Sequence, residues 1–173
     1  MKILITGCAK SGTTLVRRLF QSFDLSISTS EESIDSLISG VHDVVKISYK
    51  TIFSNNLDDT EIERQINLIK EHGIKFINVT RDKESVLKSE NGKVKEDRYM
   101  ACVRQFYNHK DIITYNIDYN QLLKHPNEIQ NELAKLLDLT IVHKFSDYPD
   151  FIDVTKEKFK EGNYKLRKLG EKY

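Results

Sequence analysis

The chain has 173 residues, of which 31% are charged and 39% hydrophobic, and a formal net charge of +1 at pH 7. This length and composition predict a single globular domain over residues 1–173, not a disordered or fibrous chain. The near-neutral charge excludes a general attraction for nucleic acid or acidic membranes, so a bound anion must be met by a local group of basic residues.

The cysteine content and the apolar runs bear on the compartment. Cys8 and Cys102 are the only cysteines, and neither a disulfide framework nor a zinc-ligand spacing is apparent. The opening apolar run is too short for a signal sequence, and no segment approaches the ~20 apolar residues that span a bilayer. We therefore expect reduced cysteines and a cytoplasmic protein.

Short apolar runs alternate with helical patterns along the chain. Apolar runs typical of buried strands occupy residues 3–6, 44–49, 74–80 and 112–117. Helical periodicity is clearest over residues 58–73 and 125–139, one or two helices are expected within residues 85–109, and residues 119–124 read as a short turn. This alternation predicts a three-layer α/β P-loop fold, in which helices flank a central parallel sheet.

The first predicted strand runs into a glycine-containing turn, "GCAKSGTT", which opens a helix. Gly7 and Gly12 are separated by four residues and followed by Thr13 and Thr14. A strand, loop and helix in this order direct backbone N–H groups and the positive end of a helix dipole at a phosphate. The match to the nucleotide-phosphate pattern G-x-x-x-x-G-K-[ST] is incomplete, because Thr13 occupies the lysine position and the lysine, Lys10, lies within the turn.

The segment "KSGTT", residues 10–14, resembles the 5′-phosphosulfate loop of the sulfotransferases that use 3′-phosphoadenosine 5′-phosphosulfate (PAPS). A second match is "RDKESVLKS", where Arg81 ends a predicted strand and Ser89 follows eight residues later. That family reads the 3′-phosphate with an arginine and a serine at this spacing. An arginine can place two N–H groups on phosphate oxygens, while a serine two helical turns later returns a hydroxyl to the same anion.

Two further segments extend the resemblance over most of the chain. "YNIDYNQLLKHPNEIQNELAKLLDL" resembles the family's late strand, Tyr-Glu-Asp-Leu segment and closing helix. More loosely, "KFKEGNYKLRK" resembles the basic segment that covers the 3′-phosphate, with Lys158, Lys160, Gly162 and Lys165 as candidate ligands.

The resemblance implies a sulfuryl transfer from PAPS, as co-substrate and without a metal, to a hydroxyl or amine of a small molecule, saccharide or peptide. Lys10 would lie near the oxygen that bridges sulfur and the departing 5′-phosphate, where negative charge develops. Ser11, Gly12, Thr13 and Thr14 would hold the 5′-phosphate and sulfuryl oxygens.

The general base is left open by the resemblance. In "VVKISYK", Lys46 matches a family lysine, but Ser48 stands where cytosolic members carry the histidine base. Golgi-type relatives use a glutamate after the phosphate-loop helix, so Glu31 or Glu32 are candidates. His42 is a third, and the acids also fit the first turn of a helix without any catalytic role.

Two other functions compete with a sulfotransferase. A P-loop kinase-like Mg-nucleotide enzyme is favoured by the glycine loop and by Asp118 at the end of a predicted strand. A non-catalytic nucleotide-binding protein of the same fold is favoured by Ser48 at the base position and by the short chain.

Overall fold

The computed structural model describes residues 1–53, 59–89 and 95–147. Its centre is a sheet of five parallel strands in the order β2-β3-β1-β4-β5. The strands are β1 (Ile3–Gly7), β2 (Ile27–Glu31), β3 (Val44–Lys46), β4 (Lys75–Thr80) and β5 (Ile113–Asp118). The helices are α1 (Thr13–Phe20), α2 (Ile34–Ile38), α3 (Tyr49–Phe53), α4 (Asp59–Glu71), α5 (Lys83–Lys88), α6 (Glu96–Asn108), α7 (Tyr119–Lys124) and α8 (Pro126–Leu137).

Each face of the sheet is covered by its own set of helices, because successive strand residues point to opposite faces. Ile3 and Ile5 of β1 belong to one hydrophobic cluster, which apolar residues of α1, α7 and α8 complete. Leu4 and Cys8 belong to a second cluster, completed by α2, α3, α4 and α6. The predicted three-layer α/β fold, with a central parallel sheet between helices, is confirmed.

The strand order determines where a ligand can approach. After β1 the chain forms β2 at one edge of the sheet and then β3 between β2 and β1. It continues with β4 on the other side of β1, so the strand order reverses at β1. In open parallel sheets, ligands bind outside the carboxyl ends of the strands at such a reversal. The turn after β1 and the residues after β4 lie at this point.

The expected strands need three corrections. Strand β2 (Ile27–Glu31) was missed, because this edge strand reads "ISTSE" and lacks an apolar run. Glu31 therefore ends a strand, which corrects the expectation that it opens a helix. The run over residues 44–49 is a strand only as far as Lys46, since Tyr49 begins α3. Residues 119–124 form the helix α7 in place of a turn.

The expectation that the two cysteines stay separate and reduced is wrong for this structure. Cys8, directly after β1, is disulfide-bonded to Cys102 of α6, with their Cα atoms 5.8 Å apart. The two cysteines are 94 positions apart in the sequence, so no local pattern indicated the pair, and only the packing of α6 on the sheet brings them together. In the described part of the chain, no helix is long and apolar enough to cross a membrane.

Candidate functional site

The turn between β1 and α1, residues 8–12, is here called the opening loop. Its first carbonyl, that of Cys8, accepts a hydrogen bond from the Ser11 N–H at 3.0 Å. Lys10 and Gly12 both have positive φ, 65° and 101°. Positive φ costs a lysine roughly 1–2 kcal/mol, so the loop holds Lys10 in a strained conformation with its side chain exposed.

Both glycines of the loop region allow close approaches that no side chain would permit. A Cβ atom on Gly7 would lie 2.4 Å from the Val79 carbonyl oxygen of β4. A Cβ atom on Gly12 would lie 2.1 Å from Cδ2 of the Tyr119 ring. The end of β1 is therefore packed directly against β4, and the opening loop against the start of α7.

The start of α1 offers donors to an anion. Gly12 is the N-cap, no side chain caps the helix, and its first turn contains no acid. The Leu15 amide donates to the Gly12 carbonyl at 3.0 Å, but the amides of Thr13 and Thr14, at the first two helical positions, precede any acceptor within the helix. The helix dipole adds positive potential there. The Ser11 hydroxyl, on a residue only 1% exposed, has no hydrogen-bond partner within the described residues. A buried hydroxyl of this kind and the uncapped amides fit the oxygens of a phosphate or sulfuryl group.

Arg81 directly follows β4 and meets the opening loop. Its Nη1 donates a hydrogen bond to the Lys10 carbonyl at 3.2 Å, and its guanidinium carbon lies 4.7 Å from the centre of the Tyr119 ring. The residue is 5% exposed, and the Tyr99 hydroxyl of α6 donates to its carbonyl at 3.1 Å. The two predicted motifs, 71 residues apart in sequence, are thus in contact.

The residues after Arg81 form the short helix α5. Asp82 is its N-cap and accepts a hydrogen bond from the Ser85 amide at 2.8 Å. Partial burial raises the pKa of Asp82, but hydrogen bonds from Asn120 and Ser85 outweigh this and lower it to about 2. Ser89 is the C-cap of α5, and its hydroxyl donates to the Val86 carbonyl at 2.8 Å.

Lys46 and Ser48 lie on the other side of β1. Lys46 is the last residue of β3 and pairs in register with Ile5 of β1. It therefore lies at the carboxyl end of the strand beside β1, and β1 leads into the opening loop. Ser48 is partly exposed, and its carbonyl accepts a hydrogen bond from the Thr51 amide at 2.9 Å in the first turn of α3.

The other candidate bases lie at the β2 edge. The Glu32 carboxylate accepts a hydrogen bond from Ser28, and its Oε1 lies 3.5 Å from Nε2 of His42. Nδ1 of His42 lies 3.2 Å from the Ser26 hydroxyl. The Ser28 and Ser36 hydroxyls and the His42 charge lower the pKa of Glu32, and partial burial opposes them. The carboxylate oxygens of Glu32 therefore interact with neighbouring side chains of the β2 edge. Glu31 is the last residue of β2.

The remaining candidate residues are the acid of the Mg-nucleotide alternative and the basic segment expected to cover the 3′-phosphate. Asp118, the acid of the Mg-nucleotide alternative, caps α7 by accepting a hydrogen bond from the Gln121 amide at 2.9 Å. No three His, Cys, Asp or Glu residues are grouped to hold a metal ion in residues 1–53, 59–89 and 95–147. Lys158, Lys160, Gly162 and Lys165 lie outside the described residues.

Two tyrosines of this region were not predicted as site residues. Tyr119 packs on Gly12 and Arg81, and Tyr99 holds the Arg81 carbonyl. Tyr119 directly follows β5, at the same edge of the sheet as Arg81, and this position could have identified it. No pattern in the sequence distinguishes Tyr99 from the other aromatic residues.

The structure is a three-layer α/β protein in which a glycine-containing turn and an uncapped helix start follow the central strand. Its structure is similar to the crystal structure of mouse sulfotransferase SULT7A1 complexed with PAP, with a TM-score of 0.52 and 13% sequence identity. The similarity covers 91% of this chain and 63% of the mouse protein, so this chain spans less than two thirds of that neighbour. The sequence matches no protein-family model and no curated protein.

Proposed function

We propose that the chain is a PAPS-dependent sulfotransferase, which binds the nucleotide at the opening loop and at Arg81. The contact between Arg81 and the Lys10 carbonyl carries this proposal, because it joins both motifs of the resemblance at one edge of the sheet. The uncapped start of α1 and the buried Ser11 hydroxyl add donors for the 5′-phosphate and sulfuryl oxygens. The similar fold of a sulfotransferase crystallised with PAP supports the same ligand.

In the proposed reaction, an acceptor oxygen or nitrogen forms a bond to sulfur while the bond between sulfur and the bridging oxygen breaks. The electron pair of that bond leaves with the 5′-phosphate, and the acceptor proton passes to a base. Lys10 donates to the bridging oxygen as its charge grows, while Ser11, Gly12, Thr13 and Thr14 hold the surrounding oxygens. Positive charge placed where negative charge develops stabilises the transition state more than the substrate.

The acceptor side of the reaction is assigned to the carboxyl end of β3. Lys46 and Ser48 are the proposed catalytic residues there, with Lys46 supplying charge and Ser48 orienting the acceptor. A serine hydroxyl does not titrate near neutral pH, so the base is a group of the acceptor or one of Glu31, Glu32 and His42. The acceptor class, a small molecule, saccharide or peptide, and the cytoplasmic location stay predictions.

Calorimetry tests the binding step. The bisphosphate PAP should bind without Mg²⁺ and more tightly than ADP. Mg-dependent ATP binding with no response to PAP would instead identify a P-loop kinase-like enzyme.

Arg81→Lys keeps the charge at this position but removes the planar fork. We expect PAP affinity to fall at least about tenfold, with a much smaller loss for AMP, which lacks the 3′-phosphate. Arg64→Lys is the matched control, because Arg64 pairs with Glu61 on the exposed side of α4. Equal losses for PAP and AMP would remove Arg81 from the 3′-phosphate site.

Transfer of labelled sulfate from PAPS to a panel of phenols, sugars, amines and peptides tests turnover. Lys10→Ala should lower the rate by about 10²-fold or more with little loss of PAP affinity, while Lys135→Ala on α8 serves as the control. Binding without transfer to any acceptor would favour the non-catalytic nucleotide-binding protein.

A further inference from the structure

The disulfide joins the first residue of the opening loop to helix α6. Cys8 and Cys102 are both buried, and their Cα separation of 5.8 Å is within the usual range for a disulfide. Cys8 belongs to the loop itself, because its carbonyl accepts the Ser11 amide that closes the turn. The position of Cys8 therefore affects the turn that contains Lys10.

Helix α6 contacts the site at a second point. Tyr99 precedes Cys102 by three residues, so the two side chains lie on the same face of the helix. The Tyr99 hydroxyl donates to the Arg81 carbonyl at 3.1 Å. One face of α6 thus holds both the opening loop and the end of β4, covalently at Cys8 and by a hydrogen bond at Arg81.

Reduction changes this arrangement by steric necessity. A sulfur–sulfur bond of about 2 Å becomes a non-bonded contact, which for atoms of this size requires roughly 3.5–4 Å. The interior around Cys102 is fully buried and close-packed, so either α6 or the start of the opening loop has to shift. The loop is the side with room to shift, because Ala9 and Lys10 are partly or fully exposed, whereas Cys102 and Phe106 hold α6 in the buried core.

We infer that Cys8 and Cys102 form a redox-controlled latch that sets the phosphate affinity of the opening loop. In the oxidised state, the disulfide holds the turn in its anion-accepting form. A dithiol reductant passes two electrons and two protons to the cysteines and becomes a disulfide itself. The loop then loses its tie to α6 and binds nucleotide more weakly. The inference rests on the proposed function for its ligand, and it adds regulation by thiol–disulfide exchange to the same site.

Calorimetry with PAP compares the oxidised protein with protein treated with dithiothreitol, and alkylation with mass spectrometry confirms each state. The oxidised form should bind PAP about 3- to 10-fold more tightly. Cys102→Ala should bind PAP with the affinity of the reduced form, and dithiothreitol should not change that affinity. Tyr99→Phe, which keeps the disulfide and removes the hydrogen bond to Arg81, should still respond to it. Equal affinity in both redox states, or two free thiols after mild oxidation, would overturn the latch.

Hydrogen exchange in peptides covering residues 8–14 separates this inference from the proposed function, because it needs no nucleotide. Faster exchange in the reduced protein supports the latch even if PAP does not bind, in which case the sulfotransferase proposal fails alone. Identical exchange in the two states, together with unchanged PAP binding, overturns the latch and leaves the proposed function standing.

Discussion

Replacement of Gly12 by alanine tests the packing at the centre of the site. The added Cβ would lie 2.1, 2.5 and 3.1 Å from three carbons of the Tyr119 ring, far inside the ~3.5–4 Å of normal contact. The ring is 2% exposed and lies beneath the Arg81 guanidinium, so it has little room to move away. We expect about 1–3 kcal/mol of destabilisation from overpacking.

The backbone adds a second cost at the same position. Gly12 has a φ of 101°, which an L-amino acid adopts at a cost of roughly 1–2 kcal/mol. The total expected loss is therefore about 2–5 kcal/mol of unfolding free energy. Urea denaturation followed by circular dichroism measures this loss as a lower midpoint at unchanged slope.

Two other glycines provide matched controls. Gly40 and Gly73 have φ of 80° and 58°, and a Cβ on either would meet no atom within 4 Å. Gly40→Ala and Gly73→Ala should therefore show only the backbone cost, and Tyr119→Leu should relieve most of the additional loss in Gly12→Ala. If Gly12→Ala is no more destabilising than Gly40→Ala, the Tyr119 ring does not pack on the opening loop as described.

Three further substitutions probe strain, pH dependence and buried polar contacts. Lys10→Gly should raise the unfolding free energy by about 1 kcal/mol, because glycine tolerates a φ of 65°, while abolishing transfer; Asp138→Gly, at a φ of 54°, is the control for strain alone. Asp82→Asn should be less stable than the unaltered protein above pH 4, and the difference should vanish as the pH falls from about 4 to about 2. The reason is that the folded pKa, about 2, lies below the unfolded value of about 3.9; a pH-independent difference would contradict it. Gln130→Leu should cost about 1–3 kcal/mol in thermal or urea unfolding, because the buried amide that donates to the Ser22 hydroxyl at 2.7 Å would be lost. An unchanged midpoint would contradict a stabilising role for this contact.

Local sequence patterns were sufficient for most of the fold. The opening strand, the glycine turn and α1 follow from an apolar run, two glycines and an amphipathic segment. The helices α4 and α8 follow from their apolar spacing and end residues. These features depend on neighbouring residues alone, which explains why the α/β alternation and the parallel sheet were predictable. Edge strand β2 was not, because its hydroxyl-rich sequence becomes a strand only by pairing with β3.

The features of the candidate site also divide into those that the sequence predicted and those that only the tertiary structure revealed. The sequence by itself identified the glycine loop by its place after a strand, and it identified Lys10 and Arg81 by their resemblance to sulfotransferase motifs. Only tertiary structure decided that Arg81 reaches the Lys10 carbonyl, that Tyr119 closes over Gly12, and that Cys8 is bonded to Cys102. These contacts join residues from 71 to 107 positions apart. Such pairs leave no local periodicity or spacing to read, and they exist only once the sheet has placed its strand ends at one edge and α6 has packed against that sheet.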